Sequence, residues 1–267
     1  MSHLGKQRRL ARILAPGGRS VMIPMDHGVS VGPLPGLERP AVAVRHARQG
    51  GASAVVVQKG LVRTVLPELG HLGLLVHLSA STSLNPDPND KRLVGTVEEC
   101  VRLGADGVSV HVNVGAPEES RMVEDMGRVS EACDRFGMPL LAMIYPRGHE
   151  IQDPHELRYV AHVARLAAEL GADVVKCPYT GSPETFRKVV EGCPVPVLIS
   201  GGARMDSDLD VLRMVEGAVR AGGAGVSIGR NMWQHERPEA MCRAIADIVL
   251  DGATAEEAAA RLGKARA

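Results

Sequence analysis

A lysine lies inside a strongly apolar segment, Val174-Val175-Lys176-Cys177. Such a lysine must extend its ammonium to solvent, pair with a carboxylate, or lose its proton, because burial favours the neutral amine. A neutral amine attacks carbonyl groups and forms a Schiff base. A structural ion pair with Asp26 or Asp173 would explain a buried lysine equally well. The segment therefore predicts either a covalent nucleophile or a paired structural cation.

Two further side chains could move protons around such an amine. Tyr145 ends the apolar segment 140–145, and Asp26 follows the apolar segment 21–25. A phenol can shuttle a proton beside an iminium, and a carboxylate can accept one, orient a hydroxyl or balance Lys176. The structural alternatives are a rim tyrosine bonded to a loop and an aspartate that caps the following turn.

The sequence also offers a rival nucleophile and a rival chemistry. Lys59 follows the apolar segment 54–58 and precedes a glycine, so its stem can reach water, and we rank it below Lys176. His27, His77 and His111 could together bind a zinc ion that stabilises an enolate without a Schiff base. Their irregular intervals and the lack of an HxH or HExxH motif count against this zinc-dependent alternative.

Glycines and an arginine follow the last two apolar segments of this kind. Gly201 and Gly202 come after segment 196–200, and Gly229 and Arg230 come at the end of segment 225–229. Glycine lets backbone N–H groups approach a phosphate closely, and arginine adds a bidentate fork. We favour a phosphate site here over the alternative that the glycines only permit tight turns.

These residues fall on a chain that alternates between strand and helix eight times. Short runs rich in Val, Ile and Leu are typical of parallel strands covered on both faces. We predict strands at 21–25, 54–58, 74–79, 108–112, 140–145, 173–177, 196–200 and 225–229, and helices at 38–49, 62–69, 95–103, 117–136, 154–170, 183–191, 206–221 and 236–249. Glycines at 51, 104, 171 and 223 are placed to end helices in a left-handed conformation.

Eight such units in 267 residues predict an α/β protein with a (β/α)8 TIM-barrel fold in a single domain, residues 1–267. Residues 1–20 form an N-terminal helix or arm and residues 251–267 a C-terminal helix, with a capping box at Thr254 and Glu257. A doubly wound sheet is the second choice, but no GxGxxG turn follows the first strand. In a TIM barrel the side chains that end the strands share one mouth, which would bring the candidate residues together.

Composition excludes several classes of function. Lysine plus arginine equals aspartate plus glutamate at 31 each, and aromatic residues make up 2% of the chain, which is untypical of nucleic-acid binders. No segment approaches the roughly 18 apolar residues of a membrane span. The N-terminus lacks the apolar region of a signal peptide. We therefore predict a cytoplasmic protein that acts on small molecules and contacts neither nucleic acid nor membrane.

Several of these segments together resemble a known family. MIPMDHGVSVGPLPGL, HLSASTSL, VSVHVNVG, MIYPRG, VVKCPYTGSPETFRKVV, SGG and IGRNMWQH follow one another as in the archaeal-type (DhnA-type) class I aldolases. The resemblance covers nearly all of residues 4–250. It is strongest to the branch that joins a ketose-phosphate-derived donor to L-aspartate 4-semialdehyde, in aromatic amino acid or aminohydroxybenzoate-type biosynthesis.

The resemblance implies a cofactor-free enzyme and gives a role to each matching position. Lys176 would form the Schiff base, Tyr145 would donate a proton and Asp26 would accept one. Substrate contacts would come from His27, Gly28, Val29, Ser30, Pro146 and Arg147, and phosphate contacts from Gly201, Gly202, Gly229 and Arg230. The donor would be dihydroxyacetone phosphate or a 6-deoxy-5-ketofructose 1-phosphate, and the enzyme would be a homo-oligomer, often a decamer in this family.

One position separates two activities within the family. The fructose-bisphosphate aldolase branch tends to carry tryptophan two residues before the catalytic tyrosine, and Met143 occupies that position here. The semialdehyde branch is therefore favoured, with class I fructose-bisphosphate aldolase as the alternative.

Overall fold

Eight parallel strands close into a barrel in the computed structural model, which describes residues 4–264. Each strand pairs with its sequence neighbours, and the first strand closes the barrel against the last. The strands are β1 Ser20–Pro24, β2 Ala54–Gln58, β3 Gly73–His77, β4 Gly107–Val114, β5 Leu140–Pro146, β6 Val174–Cys177, β7 Val197–Ser200 and β8 Gly225–Ser227. This arrangement confirms the predicted TIM barrel.

Helices follow the strands and form the outer layer. They are α1 Leu4–Ile13, α2 Gly28–Val31, α3 Pro40–Gln49, α4 Val62–Leu69, α5 Val97–Arg102, α6 Glu119–Phe136, α7 Leu157–Glu169, α8 Pro183–Glu191, α9 Asp208–Arg220, α10 Arg230–Trp233, α11 Pro238–Val249 and α12 Ala255–Lys264. Their buried faces pack on the outward side chains of the strands in one continuous apolar core. No helix within the described range is both long and apolar enough to cross a bilayer.

A second apolar cluster fills the barrel itself. Its members come from alternate strand positions, as the two-residue period of a strand requires, and include Met22, Val56, Leu141, Val174 and Leu198. Ile13 of α1 belongs to the same cluster, so the N-terminal helix closes the end of the barrel from which the strands begin. Apolar side chains therefore fill the barrel at the end where the strands begin. The polar residues that end the strands lie at the other end, which is the mouth of the barrel.

Several element boundaries differ from the prediction by two or three residues. Strand 74–79 ends at His77, and Ser79–Ala80 leaves the barrel to pair antiparallel with Arg92–Leu93. Strand 225–229 ends at Ser227, and the short helix α10 follows directly. Helix 236–249 begins at Pro238, a residue suited to the first turn because it lacks an N–H to leave unpaired.

Helix ends largely follow the predicted chemistry. The Thr254 N–H donates to Glu257 Oε2 at 2.9 Å, and the Glu257 N–H donates to Thr254 Oγ1 at 3.2 Å, which confirms the capping box before α12. Gly51, Gly104 and Gly171 have left-handed φ angles of 83°, 76° and 89°. The fourth prediction was wrong by one residue, because Gly222 rather than Gly223 takes this conformation, with φ 95°.

Candidate active site

A cavity of about 700 Å³ opens at the mouth where the strands end. It is lined by eleven of the residues selected from the sequence: Asp26, His27, Ser30, Tyr145, Pro146, Arg147, Lys176, Gly201, Gly202, Gly229 and Arg230. Gly28 and Val29 do not line it; they lie on α2 beside it, and both are exposed. The barrel thus brings side chains from five strand ends and their loops to one space.

Lys176 lies at the floor of this cavity. Its strand pairs with β5 and β7 in a register that places Lys176 beside Met143 and Leu198. The side chain stands above Val174 in the barrel interior and is 6% exposed, with Nζ 4.0 Å from Met143 Sδ. Within residues 4–264 no carboxylate oxygen lies within 4.0 Å of Nζ. The amine is therefore enclosed by apolar neighbours and open to the cavity.

The second candidate partner, Asp173, and the rival nucleophile, Lys59, both lie away from the Lys176 amine. Asp173, proposed as a structural partner, lies at the opposite end of the barrel, where its Oδ2 pairs with Lys6 Nζ at 3.1 Å. Lys59, the rival nucleophile, pairs with Glu99 at 3.0 Å and is not a lining residue of the cavity. Of the two lysines selected from the sequence, Lys176 is thus the one whose position suits attack on a bound carbonyl.

Asp26 faces the same cavity from the end of β1. His27 Nδ1 and His77 Nε2 each lie 3.7 Å from one of its oxygens, and Oδ1 is buried with no hydrogen-bond partner among residues 4–264. Burial would raise the pKa of Asp26, but His77 and His27, which are protonated in acid, and the charge of Lys176 outweigh it and hold the pKa at about 2. Asp26 is therefore a carboxylate throughout the neutral range.

The histidines around Asp26 are held by protein neighbours. Burial, first of all, lowers the pKa of His27 and His77, so both imidazoles are neutral at pH 7 and become charged only in acid. His77 Nδ1 lies 2.8 Å from Ser109 Oγ, and the His27 ring meets Trp233 edge-on. Across residues 4–264, no group of three or more His, Cys, Asp or Glu side chains is arranged to hold a metal ion.

Tyr145 stands above Lys176 on the neighbouring strand. Its ring lies 4.9 Å from the His111 ring, centroid to centroid, and the Arg147 guanidinium carbon lies 4.8 Å from its centroid. His111 is in turn fixed by Asn113, whose Oδ1 lies 2.9 Å from His111 Nε2. The Tyr145 ring is therefore in contact with the His111 ring and with the Arg147 guanidinium at the edge of the cavity.

The loops after β7 and β8 form the opposite wall. A Cβ on Gly201 would lie 2.8 Å from Ile228, and one on Gly229 would lie 2.9 Å from Pro24 O, so both glycines are needed for packing. Gly202 has φ 64° and open space around it. Arg230 Nε and Ser227 Oγ are buried without hydrogen-bond partners in the described chain. These two side chains leave polar atoms available for an oxygen-rich ligand.

Several lining residues were not selected from the sequence, among them Lys91, His155, Arg204 and Ser227. Lys91 ends the polar loop that follows β3. Lys91, His155 and Arg204 reach the cavity from loops, so no local motif marks them. Ser227 is the last residue of β8 and lies in the predicted strand 225–229, but it was not selected as a lining residue. The strand-end rule finds only the side chains that the barrel itself positions.

The neutral imidazole of His111 predicts a measurable loss of stability in acid. Burial, then the charges of Lys91 and Arg147, hold the pKa of His111 well below its usual 6.5. Below about pH 6.5 this histidine binds a proton in the unfolded chain but not in the folded protein. The free energy of unfolding therefore decreases as the pH is lowered, by at most about 1.4 kcal/mol per pH unit from this group. Urea unfolding of His111→Gln is expected to show a shallower decline between pH 7 and 5 than the parent. Equal slopes would contradict a buried neutral His111.

The matching family profile and two of the most similar curated relatives agree with each other. The sequence profile of the DeoC/LacD family aldolases matches residues 20–235. The 2-amino-3,7-dideoxy-D-threo-hept-6-ulosonate synthase of Halobacterium salinarum is 44% identical over 263 residues, 98% of each chain. The 2-amino-4,5-dihydroxy-6-oxo-7-(phosphonooxy)heptanoate synthase of Streptomyces griseus is 43% identical over 248 residues, 92% of this chain and 90% of the relative.

Solved structures agree with the fold, and one of them holds a catalytic lysine bound covalently to a reaction intermediate. An archaeal fructose-1,6-bisphosphate aldolase with its catalytic lysine covalently bound to the carbinolamine intermediate of the substrate is 34% identical. It superposes with a TM-score of 0.86 over 91% of this chain and 99% of that one. A crystal structure of an archaeal fructose 1,6-bisphosphate aldolase is 35% identical, with a TM-score of 0.85 over 91% of this chain and 98% of its own.

Proposed function

Because this chain belongs to the DeoC/LacD family of aldolases, we propose that Lys176 forms a Schiff base with a phosphorylated ketose and passes the derived enamine to L-aspartate 4-semialdehyde. The chain is a class I, Schiff-base-forming aldolase. The observation that carries the choice of nucleophile is the setting of Lys176. It is 6% exposed, opens on the cavity, and has no carboxylate within 4.0 Å in residues 4–264.

The proposed reaction begins at the amine. Neutral Lys176 attacks the donor ketone, and the carbinolamine loses water to give a cationic imine. The imine withdraws electrons, so a C–C bond breaks or a proton leaves, and an enamine remains. Its carbon attacks the acceptor aldehyde, and water then releases the product and regenerates the amine. Tyr145 donates protons in this sequence and Asp26 accepts them.

We propose that the donor phosphate binds on the β7–β8 side of the cavity. Arg230 and the backbone of Gly201, Gly202 and Gly229 line that wall, and the partnerless Arg230 Nε supports the assignment. A phosphate held there fixes the donor in register with Lys176, which is the proximity contribution to the rate. His27, Gly28, Val29, Ser30, Pro146 and Arg147 remain the predicted substrate contacts around the other walls.

The names of the two relatives support the acceptor. Each describes a seven-carbon 2-amino acid that carries a ketone at C6. The reverse aldol reaction breaks the C4–C5 bond of such a product. The two fragments are 2-amino-4-oxobutanoate, which is L-aspartate 4-semialdehyde, and a three-carbon ketone. The same acceptor therefore serves both relatives, while the ketone donor differs. The pathway proposed for this chain is formation of an aromatic precursor.

Fructose-bisphosphate cleavage is the second candidate, because the solved aldolases of that name are 34–35% identical. The synthases are closer, at 43–44% identity over at least 90% of both chains. Met143 also lines the cavity where the fructose-bisphosphate branch tends to have tryptophan. Both observations favour the semialdehyde.

A product assay tests the proposed function. The purified enzyme is incubated with L-aspartate 4-semialdehyde and either dihydroxyacetone phosphate or 6-deoxy-5-ketofructose 1-phosphate, and seven-carbon products are identified by mass spectrometry. We expect a 2-amino-6-oxoheptanoate product with one donor, absent when the semialdehyde is omitted. Fructose 1,6-bisphosphate cleavage is measured in parallel. Rapid cleavage without seven-carbon product would establish the second candidate instead.

Location and assembly remain predictions. The sequence predicts a cytoplasmic homo-oligomer, with a decamer as the form expected from the family. Size-exclusion chromatography with light scattering would measure the assembly directly.

A further inference from the structure

Lys91 is a cation in the cavity that the proposed chemistry does not use. Lys91 is the last residue of the loop formed by residues 81–91, which we call the 81–91 loop. It is half-buried and lines the cavity. Its Nζ donates a hydrogen bond to the neutral Ser81 hydroxyl at 2.5 Å. Over residues 4–264, no carboxylate oxygen lies within 4.0 Å of Nζ. The Lys91 charge therefore faces the cavity without a paired counter-charge.

The 81–91 loop is held in place by contacts to the barrel. Asn113 Nδ2 donates to Asn89 O at 2.8 Å, and Arg121 Nη2 donates to Lys91 O at 2.8 Å. Arg121 also pairs with Asp90. Asn113 is fully buried on β4, and Arg121 lies on α6. The position of Lys91 is thus set by fixed elements rather than by the loop alone.

Arg147 joins Lys91 on the same side. Its guanidinium lies over the Tyr145 ring, and in the described chain no carboxylate oxygen approaches within 4.0 Å of it. Burial, then the charge of Arg147, lowers the pKa of Lys91. The two charges likewise follow burial as causes of the lowered pKa of His111. Two cations without carboxylate partners thus lie around Tyr145 and His111.

This cationic side is opposite the proposed phosphate wall. In the barrel, β6 with Lys176 lies between β7 and β5. A donor anchored by phosphate beyond β7 and bound covalently at β6 has its reacting carbon directed toward β5 and β4. Whatever the enamine attacks must therefore lie beneath Lys91 and Arg147.

We propose that Lys91, together with Arg147, binds the carboxylate of the acceptor and so selects a charged semialdehyde over a neutral aldehyde. This inference rests on the proposed function. Guanidinium and ammonium groups bind carboxylate through charge-assisted hydrogen bonds, which are stronger than those between neutral groups. A phosphate would satisfy the same cations, so a phosphorylated aldehyde is the competing ligand to be tested.

Lys91→Met removes the charge and keeps most of the side-chain length. With saturating donor, the KM for L-aspartate 4-semialdehyde is expected to rise about 10- to 100-fold, the loss typical of a hydrogen bond between charged groups. Lys91→Arg is expected to recover most of this loss. The kcat/KM for propanal, which has no anionic end, should change less than about threefold. Lys59→Met, which removes a lysine outside the cavity, is the matched control.

Four outcomes separate the possibilities. Borohydride trapping of the donor by Lys91→Met should match the parent, because imine formation precedes acceptor binding; weakened trapping would place Lys91 on the donor side and overturn the proposal. An unchanged semialdehyde KM would also overturn it. A KM effect confined to glyceraldehyde 3-phosphate would overturn the assignment to a carboxylate. A parent enzyme that yields no semialdehyde product, while still trapping donor, would refute the proposed acceptor instead.

Discussion

Replacement of Lys176 by methionine is expected to abolish both turnover and covalent trapping of the donor. Removal of a covalent nucleophile costs about 10⁴-fold or more in kcat, because the reaction loses its intermediate. Methionine suits the site, since Lys176 packs beside Met143 and Leu198 and above Val174. Burial of an amine without a carboxylate partner costs free energy that methionine does not incur. The thermal midpoint should therefore match or exceed that of the parent.

The measurement combines kinetics with mass spectrometry. Parent enzyme treated with donor and borohydride should gain the mass of the reduced adduct, and peptide mapping should place it on the segment 174–177. Lys59→Met is the control, because Lys59 pairs with Glu99 away from the cavity and its loss should leave both signals intact. Parent-level turnover by Lys176→Met, or an adduct on Lys59, would contradict the assignment.

Much of the fold is encoded in local pattern and was predictable. The strand segments are apolar on both faces, and the apolar runs that end in Lys176 and Tyr145 matched strands in the structure. Glycines such as Gly104 ended helices as the left-handed conformation requires. Because parallel strands share one mouth, strand-end residues also converge in the cavity as expected.

The remainder depends on contacts distant in sequence. The contact between His77 and Asp26 joins the end of β3 to the residues that follow β1, and no local pattern encodes their 3.7 Å separation. The 81–91 loop has a composition that indicates only a loop, yet Asn113 and Arg121 direct its last residue into the cavity. Gly201 was selected for phosphate, whereas packing against Ile228 also requires glycine there. Tertiary contacts thus decide which polar residues reach the cavity.

Asp26 carries the second large expected effect, through Asp26→Asn. The positive charges that hold its pKa at about 2 include Lys176, so the free enzyme keeps a weakly basic carboxylate beside a cation. When Lys176 adds to the ketone and the carbinolamine is neutral, that charge is lost. Loss of water then restores a positive charge on the imine, and Asp26 accepts the proton that is released when the enamine forms. Loss of a positioned proton acceptor typically costs about 10²- to 10⁴-fold in kcat, and we expect Asp26→Asn to fall in that range.

The pH profile distinguishes proton transfer from charge balance. Asp26 is ionised at every pH at which activity would be measured, so the loss in Asp26→Asn should be uniform from about pH 6 to 9. Donor trapping should change less than turnover, because loss of water from the neutral carbinolamine to give the cationic imine takes up a proton, which is the task of the proton donor Tyr145. Near-parent turnover would instead assign Asp26 to balancing the Lys176 charge, as the sequence alone allowed. The His77 and His27 contacts at 3.7 Å would then serve to fix a counter-ion rather than a base.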